Sequence, residues 1–280
     1  MTITNYDGII AARGAGNVED RFFGKNAAYG GVAGVWYSAL RVAGYPGALT
    51  YTDATSAGII PTATNSGAIP LSSVASTSKK YLLTAGFTVS TAALAAVMLV
   101  DVLWAGANVM GNVGGAQVIN SAALTRSTNG IGCELLVVVS SAIGATAQNL
   151  QINYTGNDDA THNVTIAMTT AAAVNRVMPA GIVPFVPLNA GVKGVKSIQS
   201  AAFSSTNAAG SVDIHIVKVL TIVPTVAAYT YVERDTTSQI DGIVEINVDS
   251  AGMPGCIGQL SLHSGTGTSM SAGFIRTCQG

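Results

Sequence analysis

The sequence predicts an all-β fold, a jelly-roll-like antiparallel β-sandwich with an irregular, partly helical N-terminal segment. From about Lys79 onward the chain reads as short apolar or alternating runs, and Gly, Asn and Ser turns separate roughly ten of them. No convincing pattern for a helix of three turns follows residue 90. A sandwich of this size that mixes long and short connections is most often a jelly roll.

Charge is scarce in this chain of 280 residues. Charged residues make up 10% of it, against about 25% in an ordinary soluble domain, and 13 Lys and Arg nearly balance 14 Asp and Glu. The shortage argues against a charge-rich disordered chain, and the balance argues against a general nucleic-acid binder, which needs a basic face. We therefore favour a chain that hides part of its surface by self-assembly; the alternative is a polar but uncharged surface.

Residues 1–75 differ in composition from the rest and are predicted to form an N-terminal arm or base, with the sandwich domain over residues 76–280. A short helix is predicted over residues 5–15, with Asn5 as its N-cap and glycines as its stop. A second, one- or two-turn helix over residues 35–41 would bury Trp36 and Leu40, which are four positions apart. Residues 46–70 contain three prolines and read as extended, irregular chain that lies against something else.

The strands of the sandwich follow in order. The apolar run at residues 92–110 has Asp101 near its centre, so we interpret it as a buried strand and not as a membrane span. In the run at 212–223 the apolar parity switches near Val217, which predicts a β-bulge there. A hairpin tip is expected at residues 155–160. The predicted strands cover residues 81–89, 97–104, 117–122, 134–139, 148–154, 163–168, 182–186, 195–203, 212–223, 243–248 and 257–262.

One segment carries a catalytic signature. Residues 267–271, Gly-Thr-Ser-Met-Ser, look like the nucleophile segment of subtilases, where Ser269 would be the nucleophile at a helix start. The supporting His-Gly-Thr and Asp segments are missing, and eleven residues after Ser269 are too few for the rest of that fold. We predict a Gly/Ser/Thr loop, no catalytic residues and no enzyme activity.

Metal and cofactor signals are also weak. Cys133, Cys256 and Cys278 show no metal-ligand spacing and are expected to be reduced, mostly buried thiols. The run Asn157-Asp158-Asp159 could contribute oxygen ligands to a cation, but a solvated hairpin tip is favoured. Glu233 and Asp235 are expected in an exposed, charged loop, which we prefer to a glycosidase acid/base pair. No metal and no cofactor are predicted.

The order of several short segments resembles a family of tailed-phage virion structural proteins. The opening at residues 6–16, Trp36-Tyr37-Ser38-Ala39-Leu40-Arg41 with the turn Tyr45-Pro46-Gly47 behind it, and the closing Gln279-Gly280 look like segments of that family. Residues 123–126 before the Gly-Ile-Gly at 130–132, and residues 195–200, look like its internal motifs. The resemblance implies a jelly-roll-like capsid accessory protein, and it carries no catalytic residues over to this chain.

Composition and resemblance together predict a capsid decoration or cement subunit. It would be made in the bacterial host cytoplasm and reside in the virion. Its expected partners are copies of itself and the major capsid protein or neighbouring virion proteins, with no sequence-specific nucleic acid and no membrane. The alternatives are a head-fibre, collar or tail component, or a carbohydrate-binding β protein, which would need several exposed aromatics around a carboxylate pair.

The predicted interface residues lie in the N-terminal segment. Aromatic and Arg side chains dominate interface energies, and this segment is rich in both. The alternative is that the segment only wraps the sandwich of its own chain. The candidates are Arg21, Phe22, Phe23, Trp36, Tyr37, Arg41 and Tyr45.

Overall fold

Antiparallel strands make up most of the regular structure. The computed structural model describes residue 3 and residues 5–50, 57–75, 78–91, 93–206, 209–237 and 243–280. Its elements are α1 (Tyr6–Gly14), β1 (Val18–Gly31), β2 (Trp36–Ser38), β3 (Gly44–Tyr45), β4 (Lys80–Val89), β5 (Leu94–Met110), β6 (Gln117–Val118), β7 (Glu134–Ser141), β8 (Gln148–Gly156), β9 (Thr161–Met168), β10 (Val177–Met178), β11 (Val195–Phe203), β12 (Ser211–Pro224), β13 (Val232–Asp235), β14 (Glu245–Ile246), β15 (Cys256–His263) and β16 (Gly267–Gln279).

The strands form three sheets. Sheet 1 has the order β13-β4-β16-β1-β3, and β14 also pairs with β4; sheet 2 has the order β10-β7-β12-β5-β15-β2; sheet 3 has the order β6-β11-β8-β9. The pairs that build each sheet are antiparallel, as in β1 with β16, β12 with β5 and β8 with β9. The prediction of an all-β, jelly-roll-like antiparallel sandwich with a partly helical N-terminal segment is confirmed.

Sheet 2 is the central layer, and its long strands β5 and β12 have apolar side chains on both faces. On one face, Leu99 packs in a core with side chains of sheet 1, and Trp104 packs in a second core with side chains of sheet 3. On the other face, Met98 and Val100 pack against Trp36 and Leu40 of the N-terminal segment. Burial on both faces explains why β5 reads as a nearly continuous apolar run.

A buried ion pair lies on β5 between the two cores that cover this face. Asp101 and Arg126 are both fully buried, with 3.3 Å between the Arg126 guanidinium and Asp101 Oδ1. Arg126 also donates to the backbone carbonyls of Pro61 at 2.8 Å and Val102 at 2.9 Å.

In the described part of the chain, no helix has the length and hydropathy needed to cross a bilayer.

Many sequence predictions are confirmed. The helix α1 begins after Asn5, whose Oδ1 accepts from the Gly8 N–H at 2.9 Å, as expected of an N-cap. The strand over residues 195–203 has the predicted bounds, and β8 and β9 flank the predicted hairpin tip. The register irregularity near Val217 is present, although the extra residue is Leu103 of the partner strand β5.

Several local predictions are wrong, and one strand was not predicted. Residues 35–41 contain the short strand β2 and no helix, because Trp36 and its neighbours pair with β15. Residues 182–186 form no strand; Pro184 and Pro187 lack the N–H that a ladder needs. Residues 267–271, expected as a loop, begin the interior strand β16. Residues 18–23 begin the interior strand β1, which the sequence did not indicate.

The N-terminal segment packs with the sandwich of its own chain. β1 lies between β16 and β3, while β2 pairs with β15 at the edge of sheet 2. Phe23, Ile69 and Leu71 belong to the core that sheets 1 and 2 share. The boundary at residue 75 therefore does not separate two packing units within the chain. That the segment also docks on a neighbouring subunit stays a prediction.

Candidate functional site

The outer face of sheet 1 carries exposed aromatic side chains because of its register. Phe22 of β1 lies opposite Phe274 of β16, which lies opposite Gly86 of β4. Side chains of directly opposed residues point to the same side of an antiparallel sheet. Phe23, the next residue along β1, consequently points to the other side and is buried in the core.

We call this surface the aromatic face. Phe22 is 70% exposed and Tyr45 is 62% exposed, and Tyr45 lies opposite Gly24 at the β1–β3 edge. The Phe22 and Phe274 ring centroids are 5.1 Å apart, and the Arg276 guanidinium lies 5.5 Å from the Phe274 centroid. The aromatic face consists of Phe22, Tyr45, Tyr229, Tyr231, Met270 and Phe274.

A glycine makes room for one of these rings. A Cβ atom at Gly86 would lie 1.9 Å from the hydroxyl oxygen of Tyr231, so this phenol rests directly on the β4 backbone. Tyr231 precedes β13 and is half exposed. Its ring is thus held against the sheet, with one side open to solvent. Burial raises the pKa of the Tyr231 hydroxyl above its ordinary value.

Charged residues border the aromatic face on the side of α1. Across four neighbouring strands, one row of opposed residues runs from Asp20 through Arg276 and Thr84 to Asp235. Arg276 donates two hydrogen bonds to the Asp20 carboxylate, from Nε at 2.7 Å and from Nη2 at 2.8 Å. These bonds lower the pKa of Asp20 and raise that of Arg276. A general acid working near neutral pH needs a raised pKa, so Asp20 is unsuited to that role.

A cavity of about 420 Å³ lies between α1 and this charged border. Two of its carboxylates are engaged with hydroxyl groups: Glu233 accepts from the Thr84 hydroxyl at 2.8 Å, and Asp235 accepts from the Thr237 hydroxyl at 2.6 Å. The structure places Glu233 and Asp235 on the edge strand β13, where the sequence predicted a loop. The cavity is lined by Tyr6, Ile9, Arg13, Val18, Asp20, Leu83, Thr84, Glu233, Asp235, Thr237 and Arg276.

Two of the seven predicted interface residues, Phe22 and Tyr45, lie on the aromatic face. Phe23, Trp36 and Tyr37 are buried in the cores of their own chain, so their rings have almost no area to offer a partner. The other two are arginines, both partly buried and engaged within the chain. Arg21 pairs with Glu19, and Arg41 pairs with the buried Asp213 at 2.8 Å.

Sequence reasoning missed the C-terminal half of the aromatic face. Met270, Phe274 and Arg276 all point outward from β16. Their spacing of two or four positions is a strand signal, but the resemblance of residues 267–271 to a nucleophile segment suggested a loop. Tyr231 was assigned to a charged stretch, and nothing in the sequence brings it to the same surface as Phe22.

The other candidate chemical groups are accounted for within the chain. Ser269 is a buried residue of β16 and donates to the Met270 carbonyl at 3.2 Å, far from the helix start that a subtilase nucleophile needs. At the hairpin tip, Asp158 bonds to His162, and Asp159 pairs with Lys196 at 2.6 Å. Among the residues that the structure describes, no three His, Cys, Asp or Glu side chains cluster as metal ligands would.

The three cysteines are free and buried, as expected. Burial raises the pKa of the Cys256 thiol to about 12 and that of the Cys133 and Cys278 thiols to about 11. Thiols with such high pKa values are almost entirely protonated at neutral pH and are poor nucleophiles. These side chains therefore act as small apolar groups in the cores.

No protein-family model matches the sequence, and no curated protein matches it. Among solved structures, the infectious bursal disease virus VP2 subviral particle gives a TM-score of 0.22 at 9% identity, over 93% of this chain and 80% of that one. The infectious bursal disease virus Gx strain gives 0.22 at 10% identity, over 93% and 79%. The xylanase 10B CBM22-1–GH10 modules of Clostridium thermocellum give 0.21 at 12% identity, over 52% and 29%. Superpositions at these TM-scores carry no argument about function.

Proposed function

We propose that this chain is a structural virion protein, and more specifically a capsid decoration or cement subunit. In this role it stabilises a phage head by self-association and by contact with the major capsid protein. The observation that carries the proposal is the aromatic face. Contiguous exposed apolar patches on soluble proteins mark interaction surfaces, and aromatic, Met and Arg side chains are the types enriched there.

The aromatic face is built to bind without large ordering costs. Phe22 and Phe274 project from β1 and β16, both interior strands of sheet 1, and each ring packs on the other. An interface loses less affinity when its side chains are already held in place before binding. The border formed by Asp20 and Arg276 supplies the polar rim that surrounds the apolar centre of many interfaces.

Low charge supports the same proposal. Only 10% of the residues are charged, so the chain has few groups with which to keep copies of itself apart. The resemblance to tailed-phage virion proteins supports a location in the virion, with synthesis in the bacterial host cytoplasm. A head-fibre, collar or tail component is the other placement within this class, and it would use the same surface.

The test compares binding to virion particles that lack the protein. The double variant Phe22→Ser/Tyr45→Ser should bind at least about tenfold more weakly than the wild type, because good aromatic anchors contribute about 2 kcal/mol each. The matched control is Ile182→Ser/Val183→Ser, which removes two exposed apolar side chains from another surface. Co-sedimentation with the particles gives the affinities, and circular dichroism verifies folding. If Phe22→Ser/Tyr45→Ser binds the particles as tightly as the wild type and the control do, the aromatic face is not the docking surface.

A second candidate function is carbohydrate binding. Exposed aromatics beside a carboxylate pair are what this alternative requires. Tyr231 is half exposed and close enough to Glu233 to interact with its charge, and Glu233 lines the cavity described above. An aromatic ring stacks on the apolar side of a sugar while polar groups bind its hydroxyls. Titration with a panel of oligosaccharides, followed by NMR, tests it. Binding that Tyr231→Ala abolishes and Ile182→Ser preserves would favour this function; no binding by the wild type would reject it.

A further inference from the structure

The edge strand β9 has a strand partner on one side only, β8. It is the last strand of sheet 3, eight residues long, and pairs with β8 in continuous register without a bulge. Its residues, Thr-His-Asn-Val-Thr-Ile-Ala-Met, include no Pro, Lys, Arg, Asp or Glu. Natural proteins protect such edges with charges, prolines, bulges or short strands, because an open edge recruits another strand.

The other sheet edges in the described residues have that protection. Sheet 1 ends in β13, where Glu233, Arg234 and Asp235 are charged, and in β3, which pairs with only Gly24 and Lys25 of β1. The part of β1 before these two residues is protected by the charges of Glu19, Asp20 and Arg21. Sheet 2 ends in β10 and β2, of two and three residues, and β6 at the far side of sheet 3 has two. β9 is therefore the exception, in a chain that shortens or charges its other edges.

The register identifies the backbone groups that face outward. Gly156 N–H donates to the Ala160 carbonyl at 3.0 Å, so this pair is a hydrogen-bonded one in the β8–β9 hairpin. Hydrogen-bonded and non-bonded pairs alternate along an antiparallel ladder. His162, Val164, Ile166 and Met168 therefore direct their N–H and C=O groups to β8. The residues whose N–H and C=O groups face away from β8 are Thr161, Asn163, Thr165 and Ala167.

A groove runs beside the second half of this edge. Its volume is about 430 Å³, and it is bounded on one side by residues 165–169 and on the other by Pro179, Ala180 and Pro187. Pro179 and Pro187 have no N–H with which to bind the carbonyl groups of β9. The volume of the groove leaves room for a strand beside residues 165–167.

We propose that β9 pairs antiparallel with β9 of a second copy of this chain, across a two-fold axis at Val164. In this register Thr161 lies opposite Ala167, and Asn163 lies opposite Thr165, so outward groups meet outward groups on both strands. Val164 is partly buried against the core between sheets 2 and 3, and it would meet its own equivalent there. Self-pairing brings no like charges together, since the strand carries only His162 as a titratable group.

This pairing names a surface for the self-association proposed above, and it uses a different part of the molecule from the aromatic face. The N-terminal half of each β9 would occupy the groove beside the C-terminal half of the other. A closed two-fold contact of this kind consumes both open edges, so it yields a dimer and not a fibre.

Thr165→Pro tests the pairing. Proline removes the outward N–H of residue 165 while leaving the bonds of β9 to β8 intact, because edge strands accept proline where the N–H faces outward. The variant should dimerise at least about tenfold more weakly in sedimentation equilibrium, since two hydrogen bonds across the axis are lost. The control Thr165→Val keeps the backbone N–H and should dimerise like the wild type. A wild-type chain that stays monomeric, or equal dimerisation by both folded variants, would overturn the proposal.

Cysteine cross-linking tests the register. Val164→Cys places two thiols directly opposite at about 4.5 Å between Cα atoms, within the range that a disulfide spans. Thr165→Cys places them diagonally at about 7–8 Å, beyond that range. The three native cysteines are buried and should not interfere. Mild oxidation should convert only Val164→Cys to a covalent dimer; equal cross-linking of both variants, or of neither, contradicts the register.

The two proposals fail separately. If Thr165→Pro loses dimerisation but still binds particles, the β9 contact is an assembly contact and the aromatic face remains the docking surface. If Phe22→Ser/Tyr45→Ser loses particle binding and self-association while Thr165→Pro loses neither, the edge pairing is wrong and the proposed function stands.

Discussion

Replacing Arg126 by Met should lower the free energy of unfolding by about 3–5 kcal/mol at neutral pH, the usual cost of breaking a buried ion pair. The guanidinium has no exposed area and donates to Asp101 and to the carbonyls of Pro61 and Val102. Met fills a similar volume but donates nothing. The variant therefore leaves a buried carboxylate without its ion-pair partner, with Lys218 of the opposite strand as a remaining cation, and two carbonyl oxygens without this donor.

The loss of unfolding free energy in Arg126→Met should grow as the pH rises from about 4 to neutral. Burial raises the pKa of Asp101 above its ordinary value, and the positive charge of Arg126 opposes that rise. A carboxyl group with a higher pKa in the folded state costs stability as the pH rises from its unfolded pKa to its folded pKa, because the unfolded chain loses the proton first. Losing Arg126 raises the folded pKa further. The difference in stability between wild type and Arg126→Met should be smallest near pH 4, about the unfolded value, and largest at neutral pH.

Urea unfolding at several pH values provides the measurement, and Arg276→Met is the matched control. Arg276 pairs with Asp20 on the surface, where both side chains are more than 40% exposed, so its loss should cost only about 0–1 kcal/mol. Asp101→Asn/Arg126→Met should regain part of the loss at neutral pH, because the uncompensated charge is gone. A loss under about 1 kcal/mol for Arg126→Met, or one that does not change with pH, would refute the reasoning.

Three further predictions concern the N-terminal segment and Ser269. Asn5→Ala should destabilise the chain by about 1 kcal/mol in thermal unfolding, since it removes the N-cap bond to Gly8, and Asn5→Asp should retain it. Ser269→Ala should fold with unchanged stability within about 0.5 kcal/mol, and a fluorophosphonate probe should leave Ser269 of the wild type unlabelled. A chain that begins at Ser78 should show no cooperative unfolding transition, because it lacks β1 and the core side chains of Phe23 and Trp36; a cooperative transition would restore the separate-arm interpretation.

The local sequence pattern predicts those strands in which apolar and polar residues alternate along the whole strand. β8 and β9 have one core face and one polar face, so their side chains alternate in sequence as they do in space. β1 and β16 escaped prediction because their pairing joins the two ends of the chain, as in Asp20 with Arg276. The spacing of Trp36 and Leu40 predicts a helix. In the structure Trp36 lies on β2 and Leu40 lies in the loop after it, and both are buried in the same core.

The candidate site could be predicted only in part for the same reason. Phe22 and Phe23 are equivalent in composition, and only the pairing of β1 decides that the first is exposed and the second buried. Tyr45 was found because it stands in an evident turn. Tyr231 precedes β13 and Phe274 lies on β16, both far from Phe22 in sequence. Their approach to Phe22 depends on the order of strands in sheet 1.

The shortage of charge has two different causes on two surfaces. On sheet 3, exposed amides and hydroxyls bind one another: Asn163 donates to Asn153, Asn153 donates to Ser200 at 2.9 Å, and Gln151 donates to Asn163 at 3.0 Å. This surface is polar without charge and needs no partner to satisfy its side chains. On sheet 1, the aromatic face exposes rings whose carbon surfaces cannot hydrogen-bond to one another in this way. The proposed self-assembly therefore rests on the aromatic face and on the backbone of β9, and the low charge by itself would not require it.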